Sequence, residues 1–257
     1  KTHLLFGFHA VGVRLKTHPK TVVEVLIDSE RRDPRMRTFV SKLKAEEVRL
    51  VDSDAVTLDK LVGGHLRHQG VVARVEPIPR SHSLDDTLDA LEAAGQRNHL
   101  ILVLDGVTDP HNLGACLRVA DGAGVAAVIA PTDHAVGINA TVSKVASGAA
   151  ETVPYFMVTN LARALNELKE RGIRVVGATD TAETSLFAAE LSGPTAVVLG
   201  AEGKGLRSLT ERTCDVLVRI PMLGAVESLN VSVATGISLY EAVRQRQAFE
   251  AARTTAG

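Results

Sequence analysis

The sequence predicts an α/β protein of two domains, a small one followed by a larger one built on a mostly parallel sheet. Three observations support this fold class. The chain has 257 residues, of which 45% are hydrophobic, enough for more than one core. Apolar runs alternate with helical patterns, as expected of strands covered by helices. A segment with two prolines, EPIPRSHS at 76–83, separates two parts of different charge.

The N-terminal part alternates between helical and extended patterns, which is typical of a small α/β layer. HAVGVRLKTH and RMRTFVSKLKAEE are predicted helices, with TVVEVLID between them as a buried strand. VRLVD, AVTLDKLVGG and GVVARVE follow as strand, helix and strand. We expect a first domain at 1–76, a linker at 77–84 and a second domain at 85–257.

The second domain begins with SLDDTLDALEAAG, a predicted helix with Ser83 as its N-cap and Gly95 at its end. Uninterrupted apolar runs then predict the strands HLILVLDGV, AAVIA, VPYFMV, IRVVGAT, TAVVLGAE and VLVRIP. NLARALNELKERG is the clearest helix between them, with Asn160 as N-cap and Gly172 as terminator. In such an open sheet, ligands bind beyond the carboxyl ends of the strands.

Charge is distributed unevenly between the two parts of the chain. Residues 1–80 contain 15 Lys/Arg and 10 Asp/Glu, a net charge of +5, whereas the remainder contains 14 and 20, a net charge of −6. The asymmetry suggests that the first part contacts a polyanion, but a chance distribution over a solvated surface explains it equally well. The candidates for phosphate contacts, which a solvated helix face would also explain, are Arg31, Arg32, Arg35, Arg37, Lys42 and Lys44.

Composition excludes or disfavours several classes of protein. No apolar run is long enough to cross a bilayer, and the first residues lack a full signal-peptide pattern, so no membrane partner is expected. Cys116 and Cys214 lie in apolar contexts, which favours a reducing cytoplasm over a disulfide scaffold. The nine histidines are scattered without metal-ligand spacing, so no metal is expected. With no Trp and few Phe and Tyr, RNA modules that stack bases on aromatic platforms are disfavoured.

The first candidate loop is LDGVTDPHNLGACLRVADGAG at 104–124, which follows a strand predicted to end at Val107. Pro110 and Asn112 are predicted to form a turn, with a helix beginning near Leu113 and Asn112 as its N-cap. Arg118 would then lie inside the helix among apolar neighbours, where an arginine needs an anionic partner.

The second candidate loop is VVLGAEGKGLRSL at 197–209, whose glycines at 200, 203 and 205 allow a backbone to approach a ligand closely. It is not a phosphate-binding P-loop, which has Ser or Thr after the lysine, because Gly205 follows Lys204 here. It is not the dinucleotide fingerprint G-x-G-x-x-G either, because its glycines are spaced G-x-x-G-x-G. Glu202 would repel a phosphate and suits a cationic ligand or a ribose hydroxyl.

The third candidate loop, IPMLGAVESLNVSVATG at 220–236, leads into a segment with two interpretations. Alternation over 229–239 fits a buried strand. Good helix-forming residues from Tyr240 onward fit instead a helix capped by Ser228, with Asn230 at its second position. On that helix, a stripe of small residues would permit close packing against another helix. Its members are Ser232, Thr235 and Gly236.

Together the three loops resemble the motifs of the SpoU/TrmH family, which are S-adenosyl-L-methionine-dependent RNA 2′-O-ribose methyltransferases. DPHNLGACLR, VLGAEGKGL and IPMLGAVESLNVSVA occur in the family's order and separation, within residues 99–246. GFHAV and RHQGVVARV resemble the L30e-like RNA-binding domain of a branch that methylates a guanosine in the peptidyl-transferase P-loop of large-subunit (23S) rRNA. The resemblance implies a SPOUT fold with a C-terminal deep trefoil knot, a helix over 229–246, and a homodimer.

The resemblance also implies roles for individual residues. Arg118 would act at the ribose 2′-hydroxyl, either as a base or as a clamp on the target phosphate that lowers the hydroxyl pKa. The other implied catalytic residues are Asn112, Glu202, Ser228 and Asn230. The implied cofactor-binding residues are Leu199, Gly200, Ile220 and Leu229. His111 is a rival base on residue chemistry alone, and Lys204 is expected to face solvent or RNA.

Two other functions remain open at this point. The first is a tRNA ribose methyltransferase of the same family. The second is a non-catalytic RNA-binding or assembly protein, which would bind the cofactor without transferring its methyl group.

Overall fold

The structure is a computed structural model that describes residues 2–64, 67–77 and 83–255. These residues form two compact units. One comprises the described residues of 1–80 together with 138–152, and the other those of 81–137 and 153–257. Residues 78–82 of the predicted linker lie outside the described residues. Within the described ranges, no helix has the length and hydropathy needed to cross a membrane.

The N-terminal unit is built on a mixed four-stranded sheet with the order β1-β4-β2-β3. Its first strands and α-helices are β1 (His3–Phe6), α1 (Phe8–Thr17), β2 (Val22–Asp28), α2 (Pro34–Ala45), β3 (Leu50–Ser53), α3 (Ala55–Val62) and β4 (Val71–Val75), with a short 3-10 helix at Pro19–Thr21 between α1 and β2. β4 is antiparallel to β1 and β2, whereas β3 is parallel to β2. Of these strands and α-helices, β1 is the one without a sequence prediction, because its four residues HLLF are an apolar run without alternation.

The C-terminal unit is built on a six-stranded, all-parallel sheet with the order β10-β8-β9-β5-β6-β7. Its strands are β5 (Leu100–Asp105), β6 (Ala127–Pro131), β7 (Tyr155–Val158), β8 (Arg174–Ala178), β9 (Thr195–Gly200) and β10 (Val216–Val218). The remaining α-helices among the described residues are α4 (Leu84–Ala93), α5 (Pro110–Gly122), α6 (Ala140–Val145), α7 (Ala149–Thr152), α8 (Leu161–Glu170), α9 (Ser208–Thr213) and α10 (Val231–Thr255). The α/β class and the predicted parallel sheet are confirmed, and the knot stays a prediction.

The central strands β5 and β9 are neighbours and are buried along almost their whole length. Val103 and Val198 from these strands pack in one core with Leu165 of α8. Asn160 caps α8 as predicted, with its Oδ1 accepting from the Arg163 backbone N–H at 2.9 Å. Because β5 and β9 are parallel and adjacent, the loops that follow them begin side by side at the carboxyl edge of the sheet.

Residues 138–152, which carry α6 and α7, fold with the N-terminal unit. Arg14 of α1 forms an ion pair with Glu151 of α7, and both side chains are buried. Gly148 lies so close to α1 that a Cβ there would be 2.5 Å from a methyl carbon of Val13. A segment between the sixth and seventh strands therefore contributes to the core of the N-terminal unit.

The segment that showed alternation is the start of α10, so the strand interpretation of 229–239 is wrong. The helix implied by the family resemblance is confirmed, although it begins at Val231 and continues to Thr255. It packs against α5, where the Thr235 Oγ1 lies 3.5 Å from the Cys116 Sγ and a Cβ at Gly236 would lie 3.9 Å from Val119. The small residues thus bring α10 close to α5 within the same chain.

Candidate active site

The loop after β5 differs from its prediction at both ends. β5 ends at Asp105, and α5 begins at Pro110, three residues before the predicted start. The predicted turn and the assignment of Asn112 as N-cap are wrong, because Asp109 caps the helix by accepting from the His111 backbone N–H at 2.8 Å. Proline is well suited to the first helical position, where no N–H is needed. Asn112 therefore lies in the first turn of α5, and its side chain is available to another motif.

Asn230 connects all three motifs. Its Nδ2 donates to the Asn112 Oδ1 at 3.1 Å and is 3.4 Å from the Glu202 Oε2. Its Oδ1 accepts from the backbone N–H and the hydroxyl of Ser232, at 2.9 and 2.6 Å. These contacts fix the amide orientation, because a flipped amide would place oxygen against oxygen at Asn112 and Glu202.

The cap of α10 is therefore Asn230, and the predicted cap, Ser228, is wrong. Ser228 is exposed, two residues before Asn230. Asn230 stands just before the first helical residue and accepts from the second backbone N–H of the helix, which is the usual N-cap geometry. A single side chain both starts the C-terminal helix and aligns the motif residues.

A cavity of about 420 Å³ lies next to these residues, a volume within the range of small-molecule sites. Its walls include all four predicted cofactor residues, Leu199, Gly200, Ile220 and Leu229. Glu202 and Ser228 also line it, and Ala178 and Gly200 place it at the carboxyl ends of β8 and β9. The predicted cofactor residues are thus brought together at one cavity.

The charges that line the cavity favour a cationic ligand. Lys204 is the one basic residue among the lining residues. The acidic lining residues are Asp180, Glu202, Glu211 and Glu227. S-adenosyl-L-methionine has a sulfonium, an ammonium and one carboxylate, so its net positive charge fits this lining, whereas a phosphate group would be repelled.

The loop that carries Glu202 approaches β9 closely. A Cβ at Gly200 would lie 2.2 Å from the carbonyl group of Gly205, so position 200 requires glycine. Gly203 and Gly205 have φ angles of 74° and 64°, in the left-handed region that glycine tolerates. These glycines let the loop fold back on itself at the cavity wall.

Asp105, a residue that the sequence analysis did not single out, holds this loop in place. Its side chain is fully buried and accepts from the Arg207 Nε at 2.7 Å and from the Arg207 backbone N–H at 3.1 Å. Its carbonyl oxygen accepts from the Ala201 backbone N–H at 3.1 Å. The loop is therefore tied to β5 at both of its ends. Asp105 is the last residue of β5, so the carboxyl-edge rule would have pointed to it.

Arg118 lies on the exposed side of α5 and is not among the residues that line the cavity. The expectation that it sits among apolar neighbours is wrong, because Leu117 and Ala120 point inward and Arg118 points outward. Within the described chain it has no hydrogen-bond or ion-pair partner, and its guanidinium is exposed to solvent. His111, seven residues earlier on the same helix face, is exposed as well.

The six basic candidates of the N-terminal unit lie on α2 and in the turn before it. Arg31 and Arg35 are held over the ring of Phe8, with their guanidinium carbons 5.2 and 4.5 Å from its centroid. All of the six except Arg31 are exposed.

Neither cysteine has the properties of a nucleophile. Burial raises the pKa of the Cys116 thiol to about 11, and burial is also the main cause that raises the pKa of Cys214 to about 12. Both thiols are therefore protonated at neutral pH. In the part of the chain that the structure describes, no three His, Cys, Asp or Glu residues are grouped so as to hold a metal ion.

Sequence profiles of known families match both parts of the chain. The profile of the SpoU rRNA Methylase family matches residues 99–240. The profile described as RNA 2′-O ribose methyltransferase substrate binding matches residues 4–81.

Curated relatives match the chain over nearly its full length. The 23S rRNA (guanosine-2′-O-)-methyltransferase RlmB of Ralstonia nicotianae is 56% identical over 246 residues, covering 96% of this chain and 97% of the relative. The protein of the same name from Nitrosomonas europaea is 52% identical, covering 94% of this chain and 91% of the relative.

Solved structures show the same fold. The crystal structure of an RNA 2′-O ribose methyltransferase superposes with a TM-score of 0.79 at 27% identity, covering 96% of this chain and 89% of that one. The SpoU methyltransferase AviRb from Streptomyces viridochromogenes, in complex with AdoMet, gives a TM-score of 0.76 at 24% identity, covering 96% and 91%. A TrmH/SpoU tRNA modifying enzyme from A. aeolicus superposes with a TM-score of 0.55 at 31% identity. The match covers 64% of this chain and 86% of that one.

Proposed function

Since the chain belongs to the SpoU rRNA Methylase family, we propose that it transfers a methyl group from S-adenosyl-L-methionine to the ribose 2′-hydroxyl of a guanosine in 23S rRNA, within the peptidyl-transferase P-loop. The observation that carries this proposal is the Asn230 side chain, which joins Asn112 and Glu202 beside a cavity suited to a cation. The relatives that share more than half of the sequence are named as guanosine methyltransferases of 23S rRNA, which supports the choice of base and RNA.

S-adenosyl-L-methionine, when bound, supplies a methyl group activated by a sulfonium charge. Leu199, Gly200, Ile220 and Leu229 would hold the adenosine part, since they line the cavity and offer apolar surface and strand-end backbone groups. Glu202 would favour the positive charge of the ligand, and Asn112 and Asn230 would keep Glu202 at the cavity wall. The protein thus contributes position and electrostatics to the transfer.

Arg118 would act on the ribose hydroxyl, which is a weak nucleophile until it loses its proton. An exposed guanidinium can clamp the neighbouring RNA phosphate in a bidentate contact and thereby lower the hydroxyl pKa. Its use as a transient base is the alternative, which is disfavoured because a guanidinium keeps its proton and has no site that accepts another. We favour the clamp on this ground.

We further propose that the active form is a cytoplasmic homodimer. Val233 and Tyr240 lie seven residues apart on α10 and are each 50% exposed. In the loop before α10, Leu223 is 98% and Val226 67% exposed. Exposed apolar side chains on α10 and in the loop before it suit a surface that a second copy covers. Arg118, which does not line its own chain's cavity, would then be available to the partner's site.

The test is the transfer of labelled methyl groups from S-adenosyl-L-methionine to undermodified 23S rRNA, with the product mapped by its resistance to alkaline cleavage. We expect a single protected guanosine in the P-loop. Transfer to tRNA instead would retain the chemistry and reject the rRNA target. Cofactor binding without transfer to either RNA would indicate a binding or assembly protein.

Substitution of Arg118 tests its role directly. Arg118→Ala is expected to abolish transfer and to leave cofactor affinity unchanged, whereas His111→Ala on the same helix face keeps most activity. Mixing the inactive variants Arg118→Ala and Asn230→Ala should restore transfer if each dimer site combines residues from both copies. Near-normal turnover of Arg118→Ala would reject its assigned role.

A further inference from the structure

The N-terminal unit contains a groove between α1 and α2 that combines aromatic rings with positive charges. A cavity of about 390 Å³ is lined there by Phe8, Pro34, Arg35, Thr38, Phe39 and Lys42. The two rings meet edge to face, with their centroids 5.2 Å apart. Two of the lining residues are cationic and none carries a carboxylate, so the groove favours an anionic ligand with a flat apolar part.

Arg35 provides a preformed stacking surface in this groove. Its guanidinium carbon lies 4.5 Å from the centroid of the Phe8 ring, and Phe8 itself is 6% exposed and fixed in the core. A guanidinium that already rests on a ring loses little further freedom when a second flat group stacks on its outer face. Arg35 is exposed, so that face is accessible.

Lys42 lies seven residues after Arg35 and therefore on the same face of α2. Its side chain is 50% exposed, and its ammonium is 3.8 Å from a carboxylate oxygen of Glu46, a weak surface contact. The ammonium is thus available to a phosphate at one end of the groove. Arg35 and Lys42 together match a flat base and its phosphate.

We propose that this groove binds one unpaired nucleotide of the RNA substrate, with the base stacked on Arg35 and the phosphate at Lys42. The proposal rests on the proposed function, because it takes RNA as the substrate. Proteins read RNA mainly at unpaired nucleotides, whose bases can leave the stack and rest on rings or guanidinium planes. A nucleotide within a duplex does not fit, because both faces of its base are already stacked.

The opposite face of α2 supplies a matched control. Arg37 follows Arg35 by two residues, and Lys44 follows Lys42 by two, which turns each side chain by about 200° around the helix axis. Both are exposed, and neither lines the groove. Arg37 and Lys44 thus have the same residue types and charges as Arg35 and Lys42 and lie on the same helix, but they occupy a different surface.

The experiment compares the double variants R35Q/K42Q and R37Q/K44Q in the full chain. Binding is measured by fluorescence anisotropy with a 23S rRNA hairpin that has an unpaired loop and with a fully paired RNA of the same length. We expect R35Q/K42Q to bind the hairpin about tenfold more weakly than wild type, the size of one lost base stack. Hairpin binding by R37Q/K44Q, and paired-RNA binding by both variants, should change far less.

Kinetics provides a second readout, because R35Q/K42Q should raise the KM for RNA and leave the KM for S-adenosyl-L-methionine and kcat unchanged. Phe39→Leu, which keeps apolar bulk but removes a ring from the groove, should weaken hairpin binding in the same direction. The proposal would be overturned if both double variants lost the same amount of hairpin affinity, or if R35Q/K42Q lost as much affinity for paired RNA as for the hairpin. Either result would indicate non-specific attraction between positive charges and the RNA backbone.

The failure of this proposal can be distinguished from the failure of the proposed function. If R35Q/K42Q binds the hairpin as tightly as wild type, and the wild-type enzyme methylates 23S rRNA, the nucleotide-binding role of the groove is rejected and the proposed function stands. Selective loss of hairpin binding, in a protein that transfers no methyl group to 23S rRNA, would support the groove and reject the proposed target.

Discussion

Asn230→Asp would separate the two roles of the residue at the centre of the site. Aspartate keeps an oxygen that can accept from the Ser232 backbone N–H, so the cap of α10 is retained. It loses the amide group that faces Asn112 and Glu202, and it places a second carboxylate near Glu202. Alignment of the motifs is therefore lost while the helix remains.

The expected magnitudes follow from these contacts. Asn and Asp are about equal as N-caps, so the cap's contribution of about 1 kcal/mol to stability is retained. A negative charge at the helix N-terminus contributes about 0.3–1 kcal/mol, which offsets repulsion from the exposed Glu202. We therefore expect the free energy of unfolding to change by less than about 1 kcal/mol. Misplacement of the site groups should lower kcat/KM by about 100-fold.

The assay measures methyl transfer and thermal unfolding of Asn230→Asp alongside Asn230→Ala. The alanine variant should lose both activity and about 1 kcal/mol of stability, because it also removes the cap. Transfer by Asn230→Asp at the wild-type rate would show that Asn230 is only a helix cap. A stability loss as large as that of Asn230→Ala would refute the reasoning about the cap.

Three further substitutions or treatments test other parts of the structure. Asp105→Asn removes the charge that holds Arg207 and, with it, the loop at the cavity wall. The Kd for S-adenosyl-L-methionine, measured by calorimetric titration, should therefore rise about tenfold. An unchanged Kd would show that Asp105 does not hold this loop for the cofactor. Glu151→Ala leaves the buried Arg14 without its carboxylate, so chemical denaturation should show that the free energy of unfolding falls by about 3–5 kcal/mol. A fall of less than about 1 kcal/mol would contradict this role of the ion pair. Cys116, with a pKa of about 11, should react with thiol reagents only after unfolding, and rapid labelling of the native protein would contradict its burial.

The parallel sheet could be predicted because continuous apolar runs are a local signal of doubly covered strands. The start of α5 could not be placed correctly, because Asp109 and Asn112 are both good caps and the choice depended on Pro110 between them. The alternation of apolar and polar residues before Tyr240 wrongly favoured a strand, for a geometric reason. Residues 231, 235 and 239 are four apart, so they fit both one face of a strand and one face of a helix.

The candidate site was predictable where the family motifs name its residues and not where contacts depend on the fold. The cavity gathers the predicted cofactor residues, and Asn230 meets Asn112 and Glu202. The tie between Asp105 and Arg207 joins residues 102 positions apart, and no local pattern reveals such a pair. The exposure of Arg118, by contrast, follows from the helical period, because the apolar residues Leu113, Leu117 and Ala120 form the buried face of α5 and leave Arg118 outside it.

The membership of Ile138–Thr152 in the N-terminal unit limits how this protein can be taken apart. The chain passes between the two units at three places, so a single break at 78–82 would leave α6 and α7 on the other fragment. The two fragments would remain associated through the core around Arg14 and Glu151. A chimera that exchanges the N-terminal unit as a cassette must therefore also exchange α6 and α7, or leave a buried arginine without its carboxylate.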